Sequence, residues 1–461
     1  MKVQVDNLGP LRQAEFELGD LTIICGENNT GKTYATYALY GFLVYWHEGF
    51  LLDIPDQIVT ALLHDGASEL DLNPFVEQAD AIIKEGCRAY TKQLPRVFAS
   101  SEKNFKKSLF RIEIDKKNIQ LKEEFEQNIS SAKAKIFNIT KHANEDKLSI
   151  TLIADKEKIK IPRYVIKRAI GDAVKDILLG RIFLNPFIAS AERTGAAIFR
   201  KELNFSRNRL LEQMSADKDI NPYDLLNKLY SDYALPVKRN VDFTRQLEDI
   251  AKRESFITKT HEILLKEFST IIGGEYKVTR NDELYFIPKS NKRLKLNMDE
   301  SSSSVRSLLD IGFYLSHMAQ KGDLLMVDEP ELNLHPENQR RVARLFARLV
   351  NLGIKVFITT HSDYIVKELN TLIMLNQNAP HLNKIRENEG YKKEELIAGD
   401  QIRVYMAKED IVLLSGNTRR TSCLTLVPAD IDPELGIEAS SFDKTINDMN
   451  RIQEDILFGG E

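Results

Sequence analysis

Residues 26–33, Gly26-Glu27-Asn28-Asn29-Thr30-Gly31-Lys32-Thr33, fit the pattern G-x-x-x-x-G-K-[ST] at every fixed position. This loop restricts the possible fold more than any other feature of the chain. A polyphosphate must be met by many donors at short range, and glycines let successive backbone N–H groups curl inward to do so. A helix must follow, so that its N-terminal partial positive charge faces the same anions. The flanks meet both demands. Leu21-Thr22-Ile23-Ile24-Cys25 reads as a buried strand, and residues 34–47 read as a helix with Ala35, Ala38, Leu39, Phe42 and Leu43 on one face. The competing reading, a chance match, does not require those flanks. The expected ligand is ATP with Mg2+: Gly26, Asn28, Asn29 and Gly31 shape the cradle, Lys32 reaches the β- and γ-phosphates, and the Thr33 hydroxyl takes a Mg2+ position.

A second constraint lies far downstream. Leu324-Leu325-Met326-Val327 is an apolar run that ends in Asp328-Glu329, the pattern of a central parallel strand delivering carboxylates at its C-terminal end. Alternation along a strand sends the two acids to different tasks: Asp328 to Mg2+, Glu329 to polarising the attacking water. The bland alternative is an acidic turn after a core strand. Pro330 to Pro336 (with Glu331, Leu332, Asn333, Leu334 and His335 between) then makes a rigid turn. Lys355-Val356-Phe357-Ile358-Thr359-Thr360 is another strand, and it ends at His361. A histidine there can donate to a γ-phosphate and sense its loss, although a lone histidine is more often structural.

Ser301-Ser302-Ser303-Ser304 precedes an expected helix over residues 305–320, with Val305, Leu308, Leu309, Phe313 and Leu315 on its buried face. One hydroxyl suffices for a helix cap. Four in a row, with free N–H groups and the helix dipole, make a second anion site. Such a helix beside the acidic strand is not expected to reach its own glycine loop. The economical solution is a dimer in which Ser302, Ser303 and Ser304 of one copy cap the γ-phosphate held by the other.

The remaining chain fills in an α/β architecture. With 461 residues, several domain-sized units are possible. The expected divisions are a first ATPase lobe over residues 1–50, an insertion of mixed helix and strand over 51–180, and a return to the core over 181–197. A charged helical arm over 198–272, a second lobe over 273–390 and a C-terminal α/β extension over 391–461 complete the partition. A net charge of −4 gives no global basic field for nucleic acid, although DNA contact through the arm stays open. Three cysteines without metal spacing suit a reducing cytoplasm, and no run approaches the ~18 apolar residues of a membrane span.

Taken in order, these motifs resemble ABC-type ATPases of the SMC, RecF and OLD kind. Residues 26–33 resemble Walker A, residues 301–308 the signature, residues 324–329 Walker B, residues 333–336 the D-loop and His361 the switch histidine. Ser304 stands where the signature usually has glycine, and residues 190–195 are the best candidate for a Q-loop. The resemblance implies an ABC-type P-loop head with a mixed or parallel sheet in two lobes, Mg2+-dependent ATP hydrolysis by Glu329, His361 and Lys32, and self-association through an ATP sandwich. The wording of residues 331–336 and 359–363 is closer to the OLD-like defence ATPases than to transporters. OLD nucleases carry a C-terminal Toprim domain, which Asp430-Ile431-Asp432 imitates. No Glu-Gly motif opens a βα unit before it, so this reads as a turn. The chain therefore resembles ATPase subunits of two-component anti-phage systems of the PARIS kind, whose effector is a separate Toprim nuclease. A RecF-type DNA repair ATPase is the alternative, and a self-contained OLD-like nuclease comes behind it.

Overall fold

The computed structural model describes residues 1–130, 135–154, 161–200, 233–279, 283–414, 418–432, 434, 436–437 and 448–456. Contacts divide the chain into two compact units. One comprises Met1–Val3, Phe42–Lys92 and Phe110–Asn185; the other comprises Gln4–Gly41, Gln93–Leu109 and Pro186–Glu461.

The chain begins with two paired strands, β1 (Lys2–Leu8) and β2 (Leu11–Glu17), joined through a turn in which Asn7 and Gly9 take positive φ. Strand β3 (Leu21–Cys25) is buried at every residue, and helix α1 (Lys32–Glu48) opens directly from the glycine loop. Ala35, Ala38, Leu39, Phe42 and Leu43 are all fully buried, as their spacing predicts.

The first unit is built on α2 (Asp56–Asp65), β4 (Ala67–Asp71), α3 (Ala79–Thr91), β5 (Phe125–Ser130), β6 (Lys135–Lys141), β7 (Lys147–Leu152) and α4 (Arg163–Leu179). Its sheet has the order β4-β7-β6-β5 and is antiparallel throughout. Alternate residues Phe137, Ile139, Leu148 and Ile150 face a core completed by Ile166, Ile170, Val174 and Ile177 at helical spacing on α4. Within the expected mixed insertion, α2 gives way to β4, whose residues 67–71 alternate exposed and covered side chains along a paired edge.

The second unit holds the larger sheet. Its elements are β8 (Pro186–Ala189), α5 (Arg193–Ile198), α6 (Leu235–Arg245), α7 (Glu262–Ile272), β9 (Gly274–Val278), β10 (Leu284–Pro288), α8 (Ser303–Ser307), β11 (Leu324–Asp328), α9 (Pro336–Asn351), β12 (Lys355–Thr360), α10 (Asp363–Met374), β13 (Ile402–Leu413) and β14 (Arg420–Pro428). Six strands lie in the order β14-β13-β3-β12-β11-β8, all parallel except the edge strand β14. The parallel register sets Cys25 opposite Thr360 and Asp328 opposite Thr359. The glycine loop, the acidic pair and His361 therefore leave one edge of the sheet together. This is an α/β architecture built on a mixed sheet, as the motifs imply.

Three features depart from the expected organisation. Residues 391–461 are not a separate extension, because β13 pairs with β3 along Ile402 to Met406 and β14 completes the sheet. Of the charged arm, residues 201–232 lie outside the described residues. Residues 233–272 are built into the core instead of protruding, with Leu247, Ile257, Leu264 and Phe268 at most 4% exposed. The helix expected over 305–320 is broken at Leu308: α8 stops at Ser307, a second short helix covers Leu309–Phe313 and a π-helical turn covers Tyr314–Met318. Its predicted apolar face is nevertheless buried. The sequence predicts a final helix near residues 441–457; residues 448–456 are helical, and residues 441–447 and 457 lie outside the described residues.

Candidate functional site

The glycine loop has the backbone its motif demands. Gly26 has φ +140, and a Cβ there would lie 2.5 Å from the carbonyl oxygen of Ala407 on β13. Gly31 has φ +95 and is closed off by Leu11, while Asn29 takes the left-handed φ of 65° that asparagine tolerates. The Thr30 hydroxyl donates to Glu27 O at 2.8 Å, tightening the curl. Lys32 is 6% exposed and folds back over the loop, its Nζ donating to Gly26 O at 2.9 Å and Glu27 O at 2.7 Å. Burial lowers its pKa, opposed by the negative field of Glu329, Asp328 and Glu331. An ammonium held only by two loop carbonyls can exchange them for phosphate oxygens.

Asp328 ends β11 at 1% exposure. Its Oδ1 accepts from the Thr359 hydroxyl on the neighbouring strand. Its Oδ2 is buried with no partner among the described residues. Burial pushes its pKa up to about 6, with Thr359 and Arg193 pulling down and Glu329 and Glu192 pushing up. An orphaned carboxylate oxygen and the half-buried Thr33 at the start of α1 fit a hard cation that takes few protein ligands and completes its shell with phosphate oxygens and water. Among the described residues no cluster of three or more His, Cys, Asp or Glu could hold a metal unaided. Mg2+ would therefore rest on Asp328, Thr33 and its nucleotide.

Glu329 leaves the sheet with φ +51, a left-handed backbone unusual for a residue with a side chain. Its N–H donates to Thr359 O at 3.0 Å, and its side chain is 25% exposed. His361 Nδ1 lies 3.9 Å from Glu329 Oε1 and 3.3 Å from Glu331 Oε1. Glu331 is buried; its Oε1 accepts from the Thr360 hydroxyl at 2.9 Å and from the His361 N–H at 2.8 Å. Sequence reasoning quotes Glu331 only as part of a turn. In the fold it clamps the end of the histidine strand to the loop after the acidic strand. In the turn, Asn333 takes φ 59 and His335 caps α9 by accepting from Glu337 N at 3.3 Å.

The serine run divides its work. Ser301 is buried and spends its hydroxyl on Asn297 O at 2.8 Å. Ser302 is the helix cap, accepting from Val305 N at 3.4 Å and sharing a 2.8 Å hydrogen bond with Ser304. Ser302 is exposed, with Ser303 and Ser304 half-buried beside it. The helix they begin is fixed from several sides. The Tyr276 hydroxyl donates to Val305 O at 2.5 Å, and Arg306 Nη1 donates to Met298 O at 2.9 Å and to Ser301 O at 2.5 Å.

The proposed Q-loop segment also reaches this place. Glu192 accepts from the Tyr37 hydroxyl of α1 at 3.0 Å and lies within the electrostatic reach of Asp328. Asn240 holds the segment, accepting from Ser190 N at 2.8 Å and donating to Ile188 O at 2.6 Å. Arg193, beside them, escaped sequence reasoning. The available signal was a long cation among small residues (Ala189, Ser190, Ala191, Gly195, Ala196 and Ala197), where a charged side chain has little room to lie along the surface. Asp430 and Asp432 lie elsewhere, at a short ladder where Asp432 Oδ1 accepts from Glu434 N at 2.7 Å, the turn the sequence suggests.

Residues 1–178 and 187–366 match the AAA ATPase domain family. No curated protein matches the chain. Similar solved structures include the SMC head domain from Thermotoga maritima, 9% identical over 93% of this chain and 98% of that chain, with a TM-score of 0.31. The SmcHead bound to the C-winged helix domain of ScpA is 11% identical over 92% and 97%, at 0.32. The Smc head domain with an extended coiled coil bound to the C-terminal domain of ScpA, from Pyrococcus furiosus, is 11% identical over 98% of both chains, at 0.31. Among the described residues no helix is long and apolar enough to cross a membrane. The family match takes in well over half of the chain, including the glycine loop, the acidic strand end and His361, so the protein belongs to the AAA ATPase domain family and is an ATP-binding, ATP-hydrolysing protein at that general level.

Proposed function

We propose that this ATPase is a nucleotide-gated switch whose two copies close head to head on ATP and thereby control a separate effector protein, a nuclease of the Toprim type, in anti-phage defence. The observation that carries the dimer is the serine run. Hydroxyls in excess of capping need begin a helix that is pinned by Tyr276 and Arg306. A pinned donor set suits a phosphate delivered by another molecule, because little ordering is left to be done on binding. The defence assignment and the PARIS-like partner rest on the wording of the motifs and are analogy.

In this reading the glycine loop and Lys32 hold the triphosphate, and Asp328 with Thr33 holds Mg2+, which supplies charge neutralisation at the phosphates. Glu329 orients and polarises the attacking water from its half-buried position beyond the strand end. His361, steered by Glu331, donates to the γ-phosphate. Slow turnover suits a switch, whose two states must differ in stability more than they must cycle.

The test is Glu329→Gln, which keeps shape and one acceptor oxygen while removing the base. With ATP and Mg2+ this variant should bind nucleotide, lose at least about 100-fold in turnover and run as a long-lived dimer in light scattering. A variant that hydrolyses ATP at the parental rate removes Glu329 from its role. One that traps ATP as a monomer removes the head-to-head pair. Salt-sensitive stimulation of hydrolysis by duplex DNA would replace the effector reading with the RecF-type alternative.

A further inference from the structure

Arg193 is 1% exposed, and each of its hydrogen bonds described here runs to a main-chain carbonyl. Nε donates to Ser307 O at 2.7 Å, Nη1 to Ser190 O at 2.8 Å and Asp328 O at 2.7 Å, and Nη2 to Glu329 O at 2.8 Å. A buried arginine ordinarily forks onto a carboxylate. Here Asp310, Asp328, Glu331 and Glu329 surround the cation and act only through their field, while both oxygens of buried Asp310 lack a partner among the described residues. The guanidinium therefore spends its directional donors on chain geometry and leaves charge balance to the surroundings.

The geometry it fixes is specific. Its rigid fork joins three segments: the loop after β8, the last residue of the serine helix α8, and the end of β11 through the carbonyls that flank the Glu329 Cα. One of those carbonyls belongs to Glu329, whose left-handed backbone is strained and persists only where its surroundings over-determine it.

We infer that Arg193 is a positioning residue that locks the backbone of Glu329 and ties it to the serine helix, so that a phosphate docked on the serine run of one copy sets the hydrolytic acid of that same copy. The locking of Glu329 holds within a single chain. The coupling rests on the head-to-head reading above: the serine run of one copy serves its partner's ATP while Glu329 serves its own, so the strut links the two composite sites.

Arg193→Lys keeps a cation in the buried field but offers donors from one point, which cannot span three segments. In the full-length chain, ATP binding (read with a fluorescent ATP analogue and Mg2+) should stay within about threefold while kcat falls by about 100-fold, the cost of a ~1 Å misplacement of a reacting group. The Hill coefficient for ATP should drop to 1. A general loss of structure would lower affinity and rate together and would lower the melting temperature in proportion. A folded Arg193→Lys chain with parental kcat, or with equal losses in affinity and rate, overturns the inference.

If that variant does not fold, hydrogen exchange on the Glu329→Gln chain with ATP decides. Amides of residues 303–308 and 326–331 must open as one unit, and independent opening overturns the strut. The two readings separate cleanly. A Glu329→Gln chain that stays monomeric sinks the head-to-head pair but leaves the kcat loss of Arg193→Lys to report on locking. Parental behaviour of Arg193→Lys beside a trapped Glu329→Gln dimer sinks this inference alone.

Discussion

Glu331 offers the most quantitative test of how the site is held. Its Oε1 accepts from the Thr360 hydroxyl and the His361 N–H, both at the end of β12, while Oε2 is buried without a partner among the described residues. Thr360 is fully buried, so its hydroxyl has no water to turn to. Glu331→Ala deletes the acceptor of both. Hydrogen bonds to a charged group contribute about 1.5–3 kcal/mol each. Removal also relieves the burial of a carboxylate with one unsatisfied oxygen, which offsets about 1–3 kcal/mol. Taking the middle of both ranges, the net loss expected for Glu331→Ala is about 2–3 kcal/mol. Glu331→Gln keeps an acceptor oxygen in place but exchanges the charge and Oε2 for a buried amide N–H2 group, so it should cost roughly 1 kcal/mol, less than alanine. For a unit of this size the alanine variant should melt roughly 3–5 °C lower and the glutamine variant within about 1–2 °C of the parent. Parallel urea titrations with unchanged slope would confirm that stability, not the unfolded state, has moved. Turnover should fall in both variants, more in alanine, because His361 loses its nearer carboxylate in each and its backbone anchor only in the alanine. Equal stability of the alanine and glutamine variants would refute the clamp, since they differ chiefly in whether Oε1 remains to accept.

Two further outcomes follow from the same geometry. Burial pushes Asp310 up to about 7, so between the unfolded carboxyl near ~3.9 and that value the folded chain holds a proton the unfolded chain has released. Stability from this group is therefore complete at low pH, is lost as pH rises through that window and is gone above about 7; the stability difference between Asp310→Asn and the parent should shift in favour of the variant as pH rises from 4 to 8 in denaturant titrations, and a pH-independent difference would remove the assignment. Gly26→Ala must fit a Cβ 2.5 Å from Ala407 O at φ +140, which costs about 1–3 kcal/mol of strain or a displaced loop; ATP affinity should fall by roughly 10- to 100-fold in a chain that still folds, and parental affinity would show that the loop tolerates another backbone.

Much of the site was readable because its signals are local. The glycine loop is announced by fixed residues within an eight-residue window, and the strands beside it by largely apolar runs ending in chemistry: Cys25 before Gly26, Val327 before Asp328, Thr360 before His361. What could not be read depends on partners without residue identity. Arg193 binds main-chain carbonyls at Ser307, Asp328 and Glu329, more than 100 residues distant, and a carbonyl looks the same on every residue. The function of Glu331 needed the register of β12 against β11. β13 was visible as a strand-like run, yet its place against β3 could not be known, since parallel pairing carries no turn signal to join the two strands. The core position of residues 233–272 was hidden by the high charge of the segment, although Leu247, Ile257, Leu264 and Phe268 all point inward.

The strained backbone at Glu329 reconciles two demands that a regular strand cannot meet together. Alternation along β11 would send consecutive acids to opposite faces, yet in the proposed mechanism one phosphate terminus needs a metal ligand and a water-orienting base close together. Asp328 is the last residue of the strand and stays in register with Thr359, which fixes its carboxylate at the sheet edge. The next residue then leaves the pleat through positive φ, and Glu329 and Glu331 both arrive near His361. Such a conformation costs about 1–3 kcal/mol and relaxes unless both sides of the peptide are held. Thr359 receives the Glu329 N–H, and Arg193 holds the carbonyls of Asp328 and Glu329. The side chains with the clearest sequence signals are therefore held in place by hydrogen bonds that involve the main chain. A distortion of α8 that moved Ser307 would reach Glu329 through a single guanidinium, with no side chain of the nucleotide loop taking part.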